Sequence, residues 1–378
     1  MFTLVEAIQA INGRKEFAVN QREYGTVVDY NIEMTDTFVG RTEAETTILL
    51  NLRGTIFDDT GKIIRLAYHK FKNLNQSPEY QESQFDLREP HQIQEKLDGS
   101  MIAPFKVGAS WEFGTRAGIT DVSRMASAYY IRMPVNQQTA YNQYIERCLS
   151  QETTPIFEYC SRENRVVIDY PVSRLVLTGL RCNRTGAYLP LVGVDSLIEV
   201  VKAVSFRSGD SLKYIAEQIA LLQDSEGIVI KFDTGRMVKI KAELYCLQHR
   251  TLDQIRQEKD VLRLILTGKL DDVLPLLSPT VKVDIQKYSD AVLANVKHCE
   301  HQLRTLFLEY KRICENRKAF AALASNNRLS GVLFSWYSNK PLTLSEVLVN
   351  YCTTQTKVDE MRWVFNTQFI NAGGQENA

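Results

Sequence analysis

Three segments in a fixed order constrain this chain more than anything else in it. They are Glu95-Lys96-Leu97-Asp98-Gly99-Ser100, then Ser225-Glu226-Gly227-Ile228-Val229-Ile230, then Val238-Lys239-Ile240-Lys241. The last two are β-branched runs separated by a short polar turn, which predicts a hairpin. Alternation along a strand puts Lys239 and Lys241 on one face and Val238 and Ile240 on the other, toward a core. Glu226 stands where the hairpin begins, so the hairpin can bring a carboxylate to the cations. In the first segment Gly99 permits a tight turn after Lys96, and Asp98 can accept a turn hydrogen bond.

Further short β-branched runs recur at Gly54–Phe57, Ile63–Ala67, Arg165–Tyr170 and Leu175–Leu180, with turn signals such as Asp58-Asp59-Thr60-Gly61 between them. The connections are too short for helical crossovers, so the pairings should be mostly antiparallel. A helix is predicted over roughly 210–222, capped by Asp210 or Ser211, with Leu212, Ile215, Ala216, Ile219 and Leu222 as its apolar stripe. A second is predicted over 137–150. After Tyr245 the apolar pattern turns helical, as in Leu262, Ile265, Leu266 and later Val292, Val296, Leu303, Leu306. We therefore expect an α+β domain over 1–247, an all-α domain over 248–370, and a frayed or disordered tail over 371–378.

Composition narrows the function classes. Lys and Arg number 45 against 45 Asp and Glu, so any surface for a polyanion must be local. Seven cysteines without C-x-x-C spacing favour reduced thiols over a disulfide framework or a zinc site. No apolar run is long enough to span a membrane and no leader pattern opens the chain, which predicts a cytoplasmic protein without membrane or obligate protein partners.

Lys96 is the candidate nucleophile. A free lysine has a pKa of about 10.4, so it needs desolvation or neighbouring cations before it can attack. The Lys239 and Lys241 face is expected to lower its pKa and to neutralise a phosphate. Glu226 is either a solvated strand-end carboxylate or a hard oxygen ligand for magnesium. Glu158, within Ile156-Phe157-Glu158-Tyr159, is either an exposed strand residue or a contact to a ribose or metal. Arg53 and Lys70 are either solvated charges or phosphate contacts, the first bidentate and the second a point charge. His69 is expected to be structural. Lys311, Arg312, Arg317 and Lys318 are expected on one helix, as a solvated face or an RNA contact.

The ordered segments resemble the nucleotide-binding core of covalent nucleotidyltransferases, and specifically bacteriophage ATP-dependent RNA ligases of the RNA ligase 1 type. The similarity spans most of 25–275. It is carried by Leu52-Arg53-Gly54-Thr55-Ile56-Phe57, His69-Lys70-Phe71-Lys72-Asn73, Lys96-Leu97-Asp98-Gly99-Ser100, Thr115-Arg116-Ala117-Gly118, Phe157-Glu158-Tyr159, Glu226-Gly227-Ile228-Val229 and Lys239-Ile240-Lys241-Ala242-Glu243-Leu244-Tyr245.

The resemblance implies a nucleotidyltransferase core of antiparallel sheets followed by the helical domain. It implies ATP and Mg2+ (or Mn2+) as cofactors, and RNA ends, single-stranded or tRNA-like, as partners. Lys96 would become adenylylated, with Glu95 beside it in the nucleotide site. Arg53 and Lys70 would hold the β- and γ-phosphates, Glu158 the nucleoside, and Lys239 and Lys241 the α-phosphate. Glu226 and Asp271 would serve the metal, Tyr30 would contact ATP, and Tyr245 would act in the later steps. Arg116 stands where the family carries a lysine, and no aromatic is assigned to stack on adenine. The rival functions are a GTP-dependent capping-type guanylyltransferase and a non-catalytic RNA-binding relative. A missing second barrel argues against the first, and the complete set of Lys96, Glu226, Lys239 and Lys241 against the second.

Overall fold

The computed structural model describes residues 1–277 and 279–369; the tail expected over 371–378 lies outside them. The chain forms two compact units, Met1–Cys246 and a second that begins at Leu247.

The first unit contains three sheets, and every ladder among the described residues is antiparallel. One joins β1 (Phe17–Arg22), β2 (Gly25–Tyr30), β3 (Thr55–Phe57) and β4 (Ile63–Arg65) in that order. The chain then adds β5 (His91–Glu95), β6 (Ser100–Val107), β7 (Ser110–Gly114), β8 (Thr153–Cys160), β9 (Arg174–Cys182), β10 (Tyr188–Leu189), β11 (Gly227–Phe232) and β12 (Met237–Lys241). A five-stranded sheet runs β10-β9-β8-β6-β7, and a three-stranded sheet runs β12-β11-β5.

The three-stranded sheet forms as its alternation dictates. Ile228, Ile230, Phe232, Val238 and Ile240 share one core with Leu212, Ile215 and Ile219 of helix Leu212–Ala220. That helix starts at Ser211, whose hydroxyl accepts the Tyr214 amide at 3.1 Å. The opposite face of the sheet is left for Lys239 and Lys241. The helix expected over 137–150 spans Val135–Ser150.

Residues Arg165–Tyr170 do not form the expected strand. Their amides find another acceptor: Asp98 Oδ2 takes Val167 N at 2.8 Å and Ile168 N at 2.7 Å. A buried backbone donor needs one good acceptor, and a carboxylate serves as well as a ladder.

The second unit is helical. Its spine is the long helix Pro279–Ile313, whose Ile285, Tyr288, Val292, Val296, Cys299 and Leu303 recur every three or four residues and are buried with Phe320, Leu333, Leu344 and Phe365. Glu258 is buried here. Its carboxylate accepts from Arg362, from Tyr288 Oη at 2.6 Å and from Gln355 Nε2 at 2.9 Å, which ties three separate segments together. The basic residues expected on one helix fall on two. Lys311 and Arg312 end the spine, Arg317 begins helix Arg317–Ala324, and Asn316 interrupts them as the cap of the second. All four are exposed.

Candidate active site

The geometry centres on Lys96, just after β5. Its amide donates to Gly227 O at 2.9 Å, which binds the lysine turn to the start of β11. Its Nζ donates to Glu226 Oε2 at 2.6 Å, and Glu226 Oε1 meets Lys241 Nζ at 2.8 Å. One buried carboxylate thus bridges two amines. Lys241 also lies over the Tyr245 ring, 5.0 Å from its centroid. Register explains the grouping, because Lys241 pairs with Gly227 and Lys239 with Val229 across the hairpin. Glu95 pairs with Ile228 on the other side of β11.

The lysine turn is held from several sides. Asp98, 3% exposed, accepts from Tyr245 Oη at 2.7 Å besides the two amides of the 164–168 segment, and its own amide donates to Tyr170 Oη at 3.0 Å. Gly99 serves close approach. A Cβ there would sit 2.4 Å from Tyr159 O and 2.8 Å from Cys160 Sγ, so any side chain would push the turn off β8.

Electrostatics corrects one expectation. Burial opposes charge on Lys96, but Glu226, Glu158 and Asp98 together outweigh it, and the pKa lies above the usual lysine value. The sequence predicts the reverse, because it shows the cationic face but not that Glu226 sits on the amine. On the β12 face Lys239 is pushed down, to about 7, by burial first and then by Lys96, Lys70, Lys241 and Arg53. Its Nζ lies over Phe71, 5.2 Å from the ring centroid. Glu158 goes up to about 7, through burial and the Glu226 charge against the pull of Lys96. Glu226 is buried, yet Lys96 and Lys241 hold its pKa below the usual carboxylate range.

A second group of cations lines the first sheet. Tyr30 ends β2, and the Arg116 guanidinium lies over its ring at 4.4 Å, with Lys70 Nζ at 5.2 Å from the same centroid. Arg116 Nε pairs with Asp29 Oδ2 at 3.1 Å, and Lys70 is ion-paired with Glu33. Arg53 is half-buried, with Nη1 3.9 Å from Met101 Sδ. Arg53, Lys70 and Lys96 all depress Lys239, so these charges feel one another. Asp271 belongs to the second unit, where it is exposed on helix Leu270–Val273.

The donors suit a divalent cation of the magnesium type. Among the described residues no cluster of three or more His, Cys, Asp or Glu forms a metal cage. Magnesium needs only one or two carboxylates, with waters and phosphate oxygens completing its shell. Glu226 and Glu158 are hard oxygen donors whose charges press on each other in a buried place, a strain that a cation relieves.

Sequence reasoning did not single out Asp29, Tyr170 or Lys231. Asp29 is buried and its pKa is raised to about 6, chiefly by burial. Lys231 donates to Tyr68 Oη at 2.6 Å and Thr178 O at 2.7 Å, and burial pushes its pKa down to about 7. The signal for Lys231 was there: it occupies the same strand face as Val229, where alternation places it with Lys239. His69 is structural, its ring nitrogen 2.7 Å from Tyr188 Oη and its pKa driven to about 3 by burial and Arg181.

Comparison with known proteins adds family context. Residues 51–245 match the model of a family described as RNA ligase. A Thermovibrio ammonificans protein named "Putative RNA ligase" is 28% identical over 289 residues, covering 74% of this chain and 73% of that one. A "Putative bifunctional polynucleotide kinase/RNA ligase" of Autographa californica nuclear polyhedrosis virus is 25% identical over 65% of this chain, which spans only 37% of it. A solved archaeal ATP-dependent RNA ligase aligns with a TM-score of 0.44 at 15% identity, covering 66% of this chain and 65% of that one.

Proposed function

This chain belongs to the RNA ligase family, and we propose that it is an ATP-dependent RNA ligase whose Lys96 carries AMP. The observation behind this reading is the Lys96–Glu226–Lys241 bridge, with Lys239 one register step away. The uncharged amine of Lys96 attacks the α-phosphorus of ATP. A P–N bond forms, the bond to the β-phosphate oxygen breaks, and pyrophosphate leaves. Lys239 and Lys241 neutralise charge that builds on the α-phosphate, while Arg53 and Lys70 hold the β- and γ-phosphates. Lys70 must first leave Glu33 for the phosphates. Tyr30 and Arg116 form the wall beside them, and Glu158 contacts the nucleoside; Glu226, alone or with Glu158, would hold the divalent cation. A bound magnesium or manganese ion would supply charge neutralisation at the phosphates.

Protonation makes the first step conditional. In the free protein Glu226 keeps Lys96 charged and therefore inert. Glu226 is the largest of the carboxylate influences on Lys96, so a cation held by Glu226 would weaken that influence and let burial and the neighbouring lysines favour the free amine.

AMP then passes to an RNA 5′-phosphate, and a 3′-hydroxyl attacks that activated end, releasing AMP and closing the phosphodiester. We assign single-stranded or tRNA-like ends as the substrate. Single strands are gripped through local phosphate contacts and stacking, and the second unit exposes Lys311, Arg312, Arg317 and Lys318 for such contacts. The test compares a 5′-phosphorylated single-stranded RNA 20-mer with a nicked duplex at equal salt, with ATP or GTP. Faster sealing of the single strand with ATP is expected. Faster sealing of the nick would overturn the substrate assignment, and equal use of GTP would overturn the nucleotide assignment.

A further inference from the structure

We propose that Arg65 is a positioning residue for the phosphate-binding cations, setting Arg53 and Arg116 side by side without touching the nucleotide. The proposal rests on the reading of Arg53 as a phosphate contact given above.

Arg65 ends β4 and is 0% exposed, among the largest fully buried side chains of the protein. It has no ion pair or carboxylate hydrogen bond among the described residues. Its donors go instead to two backbone carbonyls. Nε and Nη2 reach Gly54 O at 3.2 and 2.6 Å, and Nη2 also reaches Arg116 O at 3.3 Å. The guanidinium lies over Phe105, 5.3 Å from the ring centroid.

Those carbonyls belong to two turns. One turn carries Arg53 and the other carries Arg116. The turns meet backbone to backbone: Gly54 has φ +71°, and a Cβ on it would fall 2.1 Å from Arg116 O. Two carbonyl oxygens facing one place repel each other unless a donor sits between them. Arg65 Nη2 is that donor. On the far side Asp29 takes the Arg116 side chain, so Arg116 is fixed at its backbone by Arg65 and at its guanidinium by Asp29.

A packing role does not account for this residue. Burying a guanidinium without a partner carboxylate is costly, and apolar residues of similar volume usually replace buried ions without loss. Nη1 of Arg65 is buried with no partner, a further cost that packing alone does not justify. A planar fork that reaches two carbonyls at once is what arginine supplies and lysine does not.

The test is kinetic and separates nucleotide use from sealing. Arg65→Lys keeps the charge and removes the fork. Its KM for ATP in Lys96 adenylylation should rise about tenfold, as expected when one charge-assisted hydrogen bond is lost. Sealing of pre-adenylylated RNA, which needs no triphosphate, should be unchanged. Gly114→Ala is the second variant. Its Cβ would lie 2.5 Å from Arg65 Nη1 and 2.8 Å from Cε1 of Phe105, the ring beneath the guanidinium, so it disturbs the seat of the guanidinium while leaving Arg65 in the chain. It should reproduce the same split, and it decides the matter if thermal melting shows Arg65→Lys to be unfolded. Arg53→Ala is measured alongside. If Arg53→Ala raises KM for ATP but the folded variants do not, or if they slow both reactions equally, Arg65 is structural and the proposal is overturned. If Arg53→Ala leaves KM unchanged, the phosphate role of Arg53 fails and this proposal fails with it.

Discussion

The Lys96 amine donates to the Glu226 carboxylate at 2.6 Å, and that contact holds the candidate nucleophile in its unreactive, protonated form. The residue proposed to serve the metal is therefore also the one that silences the lysine.

Removing the Glu226 charge should expose the amine. Burial already opposes charge on Lys96, and only the carboxylates reverse it. In Glu226→Gln the Lys96 pKa should fall, so that at pH 8 an amine-reactive ester labels Lys96 faster than in the wild type. Mass spectrometry of the Lys96 peptide, without ATP or metal, measures this. Equal or slower labelling contradicts the electrostatic account.

ATP affinity should depend on Lys239. In the free protein its pKa is about 7, so it is mostly neutral at pH 8. Bound phosphate favours the charged form and raises that pKa, so binding takes up a proton. Affinity is then greatest below pH 7 and declines as pH rises through it, toward the higher pKa of the complex. Calorimetry in buffers of different ionisation enthalpy should show proton uptake at pH 8. Lys239→Arg, charged throughout, should abolish that uptake. Uptake that survives in Lys239→Arg points to another group.

Tyr245→Phe removes one hydrogen bond to Asp98 and leaves the two amides of the 164–168 segment in place. Losing a hydrogen bond to a buried charge costs about 1.5–3 kcal/mol. Denaturant melts should show that loss. A stability unchanged by the substitution would mean that Asp98 is satisfied without Tyr245.

In the second unit, Glu258→Ala removes the carboxylate shared by Arg362, Tyr288 and Gln355, leaving Arg362 and Gln355 their contacts to Asp359. Removing one partner of a buried pair costs about 3–5 kcal/mol, and the remaining Asp359 pair together with the partial exposure of Arg362 favours the lower end. Thermal unfolding should fall accordingly, while Lys96 adenylylation measured well below the melting temperature should persist. Unchanged melting would contradict the role of Glu258.

The sequence made the hairpin and its two faces legible, because alternation in Ile228–Phe232 and Val238–Lys241 allows one arrangement. It also showed the switch to helical periodicity after Tyr245. Legibility ended where a long-range partner decides the outcome. Arg165–Tyr170 has strand composition, but Asp98 captures its amides from 69 and 70 positions away. The Lys96 pKa went the other way because Glu226, 130 positions distant, folds onto the amine. Asn316 alone could have shown that the basic run from Lys311 to Lys318 is broken, since it is a strong N-cap residue.

The most direct test of the account is covalent. Wild-type protein, magnesium and ATP labelled at the α-phosphate should give a labelled protein band, with AMP mapping to the peptide that contains Lys96. Lys96→Ala should give none, yet should still seal pre-adenylylated RNA, because that substrate bypasses the lysine. A folded Lys96→Ala protein that still takes up label, or label mapping to a different residue, would contradict the assignment of Lys96 as the nucleophile.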